Sequence, residues 1–241
     1  MNTPAALRPF LTRLERSAPL SERDRSAILA LPFTPKAVAA ENVLALDDGN
    51  AGRCFVVLSG LVGRAKMLPN GARQIISLHI PGDGIDLQRS LTPKIDHSVL
   101  TLTRAQVAVV PASGVDELVA SHAGAGRAIW REILRDAAIQ REWTLNVGRR
   151  NARTRLAHLL SEIGWRMRSA GLAPHEHFDV NLTQVQLADL TGLTPVHINR
   201  TLQGLRADRL LDKRKRPLRV IDSARLEAAG GFNASYLDAE A

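Results

Sequence analysis

Between Thr183 and Gln203 the chain reads TQVQLADLTGLTPVHINRTLQ, and few folds accept such a run. Leu187, Leu190 and Leu193 fall at helical spacing, and the chain turns at Thr191-Gly192-Leu193. A second helix follows from Thr194, with Ile198, Leu202 and Leu205 as its apolar stripe. Glycine at the corner supplies the positive φ that lets two helices meet at a steep angle, and Ala188 is small enough for the second to cross close to the first. Thr194 is placed to accept the free N–H groups of the second helix, and Pro195 suits its first position. The outward face carries Val196, His197, Asn199, Arg200 and Gln203, side chains able to touch base edges and methyl groups in a major groove.

Two amphipathic helices around a glycine occur in many folds, so the flanks matter. Leu210-Leu211 leads into Asp212-Lys213-Arg214-Lys215-Arg216-Pro217 and then Leu218-Arg219-Val220-Ile221. Two β-prone runs around a basic, proline-containing tip predict a hairpin wing. Alone, a charge run is a solvated face; beside a helix-turn-helix it suits a phosphate clamp. Lys plus Arg outnumber Asp plus Glu by 32 to 24, and the net charge of +8 points to a polyanionic partner.

No apolar run reaches the ~18 residues of a membrane span, and the first residues, MNTPAALRPFLTRLERSAPL, lack a signal-peptide pattern, so a cytoplasmic location is expected. The single cysteine, Cys54, excludes an intramolecular disulfide and a four-cysteine metal or iron–sulfur site. It sits in the apolar run Cys54–Leu58, where it reads as a small buried hydrophobe. His175-Glu176-His177 has the look of a metal cluster but lies in a proline-containing linker with no third ligand at a supporting spacing, so no metal is expected.

Residues 7 to 31 predict one or two short helices, a second opening on Ser21 with Asp24 three residues on. From Phe33 to Val110 short apolar runs are broken by turns at Asp48-Gly49, Ser59-Gly60, Pro69-Asn70-Gly71 and Pro81-Gly82-Asp83. The runs are Val43–Leu46, Phe55–Leu58, Leu61–Leu68, Gln74–Ile80, Ser98–Leu102 and Ala105–Val110, spacing that predicts an antiparallel barrel or double-sheet jelly roll. A helix follows from about Gly126 to Asn146, with Trp130, Ile133, Ala137, Gln140, Thr144 and Val147 at a/d spacing for a dimer seam. Gly148 reads as a hinge, with a further helix starting at Arg149–Arg153. Three parts result: 1–125, N-terminal helices and β-roll; 126–148, dimerisation helix and hinge; 149–241, the helix-turn-helix part.

An α+β chain with an N-terminal antiparallel β-roll, a long connecting helix and a C-terminal winged helix-turn-helix resembles transcription regulators of the cyclic-AMP receptor protein / fumarate-nitrate regulator (CRP/FNR) family. The resemblance rests on Phe55–Gly60, Asn70–Ile75 and Pro81-Gly82-Asp83 in the first half, and on Leu182-Thr183, Leu187-Ala188, Thr191–Thr194 and Ile198-Asn199-Arg200 in the second. It implies a non-enzymatic homodimer on a near-palindromic operator, with RNA polymerase as a further partner. Arg200 matches the family's guanine-reading arginine, and Asn199 falls at a contact position. Val196 replaces a glutamate that commonly reads cytosine, which leaves Val196 and His197 for a thymine methyl or another base edge. Thr183, Gln184 and Thr194 fall where phosphates are held, with Lys213, Arg214, Lys215 and Arg216 on the wing.

The sensor half departs from the cyclic-nucleotide pattern of Gly-Glu and, later, Arg with a small hydroxyl residue. Gly84-Ile85-Asp86-Leu87-Gln88-Arg89 and Asp96-His97-Ser98 stand there instead. Asp86 would repel a cyclic phosphate, so any effector pocket, built from Gly82, Asp83, Ile85, Asp86 and Arg89, is expected to take a molecule other than cyclic AMP, of unknown identity. The rival reading is a small-molecule sensor acting through a protein partner; the basic wing argues against it, because protein interfaces are depleted in lysine. A cupin-like metalloenzyme would need histidine and carboxylate ligands on the strands, where only His79 and His97 occur.

Overall fold

A computed structural model describes residues 4–46, 52–92, 95–213 and 217–237. The Asp48-Gly49 turn and the wing residues Arg214, Lys215 and Arg216 lie outside the described residues. The described chain forms two compact units: residues up to Lys66 with Ser77–Ala138, and Met67–Ile76 with Ile139–Asp238.

In the first unit a 3₁₀ turn (Pro4–Leu7) leads to α1 (Arg8–Ser17) and α2 (Glu22–Leu29). The expected cap of α2 is present in full: Ser21 Oγ accepts from the Asp24 N–H, and the Asp24 carboxylate accepts from the Ser21 N–H. Eight strands follow: β1 (Thr34–Val38), β2 (Val43–Ala45), β3 (Arg53–Ser59), β4 (Val62–Met67), β5 (Arg73–His79), β6 (Gly84–Ile85), β7 (Ser98–Thr101) and β8 (Ala105–Pro111). They form two four-stranded sheets, ordered β1-β8-β3-β6 and β2-β7-β4-β5. This is the double-sheet roll that the turn spacing predicts, with two strands the apolar runs did not reveal. β1 is an exposed edge strand containing Pro35 and Lys36, residues that guard an edge against further pairing; β6 has only two residues.

Side-chain alternation explains why β3 reads as one unbroken apolar run. Phe55 and Val57 face the core between the sheets with Val62, Ile85, Val99 and Val107, while Cys54 and Val56 face a second core under α1, α2 and the helices that follow β8. Helices cover the outer face, so both faces are dry. Burial pushes the Cys54 thiol up to about 12, helped by the Asp86 charge, which keeps it an inert apolar filler.

After α3 (Ala112–Ser121) comes α4 (Ala123–Arg149), which runs straight through Gly148. The expected hinge at Gly148 is therefore wrong. The break falls at Arg150-Asn151, where Asn151 accepts from the Thr154 N–H and opens α5 (Ala152–Ser169). A glycine inside a helix costs only about 1 kcal/mol, whereas a side-chain cap fixes where a new helix begins. The positions expected at a/d spacing divide in burial, Thr144 being exposed and Val147 half-buried. Ile133 packs on the core and Gln140 Nε2 donates to the Ile76 carbonyl at 2.6 Å, whereas Trp130, Leu134, Ala137, Arg141 and Leu145 are exposed.

In the second unit β9 (Phe178–Val180), α6 (Gln184–Thr191), α7 (Pro195–Ala207), β10 (Leu218–Val220) and α8 (Ser223–Gly230) follow α5. Leu156, Leu159, Leu160 and Ile163 of α5 are buried, as are Leu187, Leu190, Ile198, Leu202 and Leu205. Gly164 is required on α5, because any Cβ there would strike the Phe178 ring. Glu162, fully buried, accepts from Trp143 Nε1 at 2.9 Å, Tyr236 Oη at 2.8 Å and Arg166 Nη1 at 3.2 Å, fastening the end of α4 to α5. The two runs of the wing pair as a hairpin, the Asp212 N–H donating to the Arg219 carbonyl at 2.9 Å and the Ile221 N–H to the Leu210 carbonyl at 3.1 Å. β10 pairs antiparallel with β9, three residues inside what reads as linker, and Leu211 adds a single bridge to Val220.

Candidate nucleic-acid interface

The α6–α7 pair is built by caps at both helix starts. Thr183 Oγ1 accepts from the Gln186 N–H at 3.0 Å, and Gln186 Oε1 accepts from the Thr183 N–H at 2.8 Å. Gly192 ends α6 in the left-handed region (φ 63°), and the Leu193 N–H donates to the Ala188 carbonyl at 3.1 Å. Thr194 Oγ1 then accepts from the His197 N–H at 3.2 Å, with Pro195 at the first position of α7. Each such cap is worth about 1 kcal/mol.

Burial divides α7 cleanly. Ile198, Leu202 and Leu205 are buried, whereas Val196 is 68% exposed and His197, Asn199, Arg200 and Gln203 are all exposed with it. On this outer face Gln203 Nε2 donates to Asn199 Oδ1 at 3.0 Å, and Asn199 Nδ2 donates to Gln184 Oε1 at 3.3 Å. Gln184, the first residue of α6, is thereby tied across to α7. Of the candidate phosphate contacts, Thr194 and Lys213 are exposed, and Thr183 and Gln184 are half-buried.

Two supports of this pair have no local signal in the sequence. Arg155 Nη1 of α5 donates to the Thr191 carbonyl at 2.9 Å, satisfying the open end of α6. Arg73 Nε donates to Asp189 Oδ2 at 2.8 Å, and Gln74 Nε2 donates to the Asp189 carbonyl at 2.6 Å, so the β4–β5 tip grips α6. Arg155 stands 36 positions from Thr191, and Arg73 and Gln74 stand 116 and 115 from Asp189, beyond the reach of any pattern of spacing.

The five residues considered for an effector are packed inward. Gly82 (φ 96°) donates its N–H to the Val57 carbonyl at 2.8 Å, and Asp83 Oδ2 accepts from the Ile80 N–H at 2.9 Å. Ile85 is part of the inter-sheet core, and buried Arg89 donates to the Thr92 carbonyl at 3.0 Å. Asp86, buried and at a φ of 57°, accepts from Arg64 Nε at 2.9 Å and faces His97 Nε2 at 3.2 Å. Arg64 also pairs with Asp136 of α4, while His97 Nδ1 faces Asp96 at 3.1 Å and Lys66 Nζ donates to Asp96 at 2.8 Å.

Burial opposes the charge on Asp86, but the His97 hydrogen bond and the Arg64 guanidinium outweigh it and hold the carboxyl below its usual range. Burial likewise opposes a charged His97, yet Asp86 and then Asp96 raise it above an ordinary histidine. With both ring nitrogens against carboxylates, the two donors of the cation each meet an acceptor, which is the cause of the upward shift.

Residues 154–229 match the family model of the Crp-like helix-turn-helix domain. FnrL, a transcriptional activator of Cereibacter sphaeroides, is 29% identical over 181 residues, 72% of this chain and 71% of the relative. Residues 154–229 of this chain are therefore a Crp-like helix-turn-helix domain. A probable transcriptional activator of Rhizobium leguminosarum bv. viciae is 27% identical over 150 residues, 62% of this chain and 61% of the relative. The structure of FixK2 from Bradyrhizobium japonicum shares the fold, with a TM-score of 0.74 at 23% identity over 83% of this chain and 98% of that one.

The matched stretch takes in α6, α7 and the exposed face described above, so that face lies on the Crp-like helix-turn-helix domain. His175, Glu176 and His177 are exposed in the segment before β9. Among the described residues, no helix is long and apolar enough to cross a membrane.

Proposed function

We propose that the protein is a homodimeric, sequence-specific regulator that places α7 of each copy in successive major grooves of a near-palindromic operator, roughly 34 Å apart. The observation that carries this reading is the division of α7 into a wholly buried stripe and an outer face of unspent polar groups around Arg200. Arg200 reads guanine; Asn199, His197 and Val196 face neighbouring bases; Thr183, Gln184, Thr194 and Lys213 to Arg216 hold phosphates. The test is Arg200→Ala in a gel-shift titration on the operator selected by the full-length protein. Specific affinity should fall about 10- to 100-fold and one base position per half-site should relax; an unchanged shift sinks the placement of α7.

The dimer reading is supported by α4. Trp130, Leu134 and Leu145 are 48%, 64% and 47% exposed, at intervals that keep them on one side of a helix with Ala137 and Arg141. Leu134→Glu should convert the dimer to monomer in sedimentation velocity and abolish tight operator binding with it. Such a dimer acts in the cytoplasm with RNA polymerase as a further partner. Any small-molecule effector differs from cyclic AMP, since Asp86 and its ring of partners occupy the ground where a phosphate would need a free cation. Cyclic AMP should therefore leave the operator Kd unchanged.

A further inference from the structure

The amide chain on the outer face of α7 has a direction, and the direction leaves a specific remainder. Gln203 Nε2 spends one N–H on Asn199 Oδ1 (3.0 Å), and Asn199 Nδ2 spends one on Gln184 Oε1 (3.3 Å). Asn199 has thus committed its acceptor and half of its donor capacity inside the protein. Gln203 keeps its whole carbonyl oxygen and one N–H, side by side in one amide plane. Gln184 keeps both N–H groups at the first position of α6, where backbone N–H groups also point outward.

A coplanar acceptor and donor match one base edge in the major groove. Adenine offers the N6 donor beside the N7 acceptor, whereas guanine offers two acceptors there, thymine an acceptor with a methyl and cytosine a single donor. Gln203 is exposed and sits three residues beyond Arg200, on the same side of α7. We propose that Gln203 is an adenine-reading residue and that Asn199 is its positioning residue, holding the Gln203 amide in the orientation that matches adenine. The link onward to Gln184 joins base reading to backbone grip: a phosphate on the Gln184 N–H groups leaves its oxygen free to accept from Asn199, so both ends of the chain are satisfied at once. A Gln–Asn pair that merely stabilised α7 would have no use for a third amide on another helix. This inference rests on α7 lying in the major groove, as proposed above.

The experiment uses full-length protein and the operator it selects from a random duplex library. Affinities are then measured for each base pair at each half-site position, for the wild type and for Gln203→Ala, Asn199→Ala, Asn199→Asp and Arg200→Ala. Gln203→Ala should lose about tenfold or more of the preference for one A·T pair per half-site, with the other positions unchanged. Replacing that adenine by 7-deazaadenine, which lacks the N7 acceptor, should weaken the wild type by a similar factor and leave Gln203→Ala unaffected. Asn199→Ala should relax the same position. Asn199→Asp, which retains an acceptor for Gln203, should keep the preference while weakening every sequence alike.

If Gln203→Ala keeps the wild-type preference everywhere while Arg200→Ala relaxes its own position, the assignment of Gln203 is wrong and the groove placement stands. Relaxation of different positions by Gln203→Ala and Asn199→Ala overturns the positioning role. If the wild type selects no sequence, or Arg200→Ala binds as the wild type does, the groove placement falls and takes this inference with it.

Discussion

The outer face of α7 and the Arg64–Asp86–His97 cluster are both built from polar and charged side chains, and they do opposite things. On α7 the polar groups are exposed, and much of their hydrogen-bonding capacity is unspent. In the β-roll Asp86 is 2% and Arg64 7% exposed, and each meets more than one charged partner within the first unit. A polar group left unspent on a rigid surface is available to a partner; one spent in the interior holds the fold. The difference teaches that charge alone does not mark a ligand site: Asp86 and Arg89 stand where a nucleotide pocket would be sought, yet both are committed.

The sharpest way to break this contrast is to remove one member from each region. Arg64→Met leaves Asp86 buried against His97 alone and Asp136 without its guanidinium, and should cost about 3–5 kcal/mol in urea unfolding of the full chain. Arg200→Ala, for all its effect on DNA, should stay within about 0.5 kcal/mol of wild-type stability. A cost below about 1 kcal/mol for Arg64→Met would mean that the cluster is hydrated and open, and the β-roll would again be a place to look for a charged effector.

A smaller effect separates the units by pH. His158, buried in the second unit near Tyr236 and Glu142, is lowered to about 4 by burial and then by the Arg150 charge. Its unfolded value is about 6.5, so the unfolded chain binds the extra proton and stability is lost as pH falls from there toward 4, by on the order of 2–3 kcal/mol. His97 is raised instead, so its contribution is complete below about pH 6.5 and is lost as pH rises through its folded value. His158→Gln should flatten the acid limb of the unfolding curve and His97→Gln the alkaline one. If each variant flattened the other limb, the two environments would be misassigned.

What was legible beforehand was what the chain decides locally. Ser21 with Asp24, Thr194 with Pro195, Asn70-Gly71 and the Leu187–Leu205 periodicity each act within a few residues, and each element stands where those signals put it. β9 was not legible because three residues carry no period; it exists because β10, some forty positions on, pairs with it. The Arg64–Asp86–His97–Asp136 cluster was visible only as a departure from a nucleotide-binding pattern, since sheet topology and α4 bring those residues together. On α4 the spacing fixes a period but not which side is covered: the core beneath claims Ile133 and leaves Leu134 outside. On α7 the residue types were legible, but the amide chain through Asn199 needed a second helix to complete it.

The smallest expected effect lies at the wing. Lys213 is exposed on the arm that Leu211 bridges to Val220, and in the function proposed above it meets the backbone rather than the bases. A lysine in that role displaces about one condensed counterion per phosphate it meets, so its loss changes how affinity depends on salt more than it changes affinity at any one salt. Lys213→Ala should lower the slope of log Kobs against log salt by about 0.9 per subunit and weaken operator and unrelated duplex by the same few-fold factor. Stability should be untouched, because nothing buried is removed. Arg200→Ala should do the reverse, narrowing the gap between operator and unrelated duplex. A Lys213→Ala protein that bound its operator less selectively, at an unchanged salt slope, would move the wing from the sugar–phosphate rails into a groove and make it a second reader beside α7.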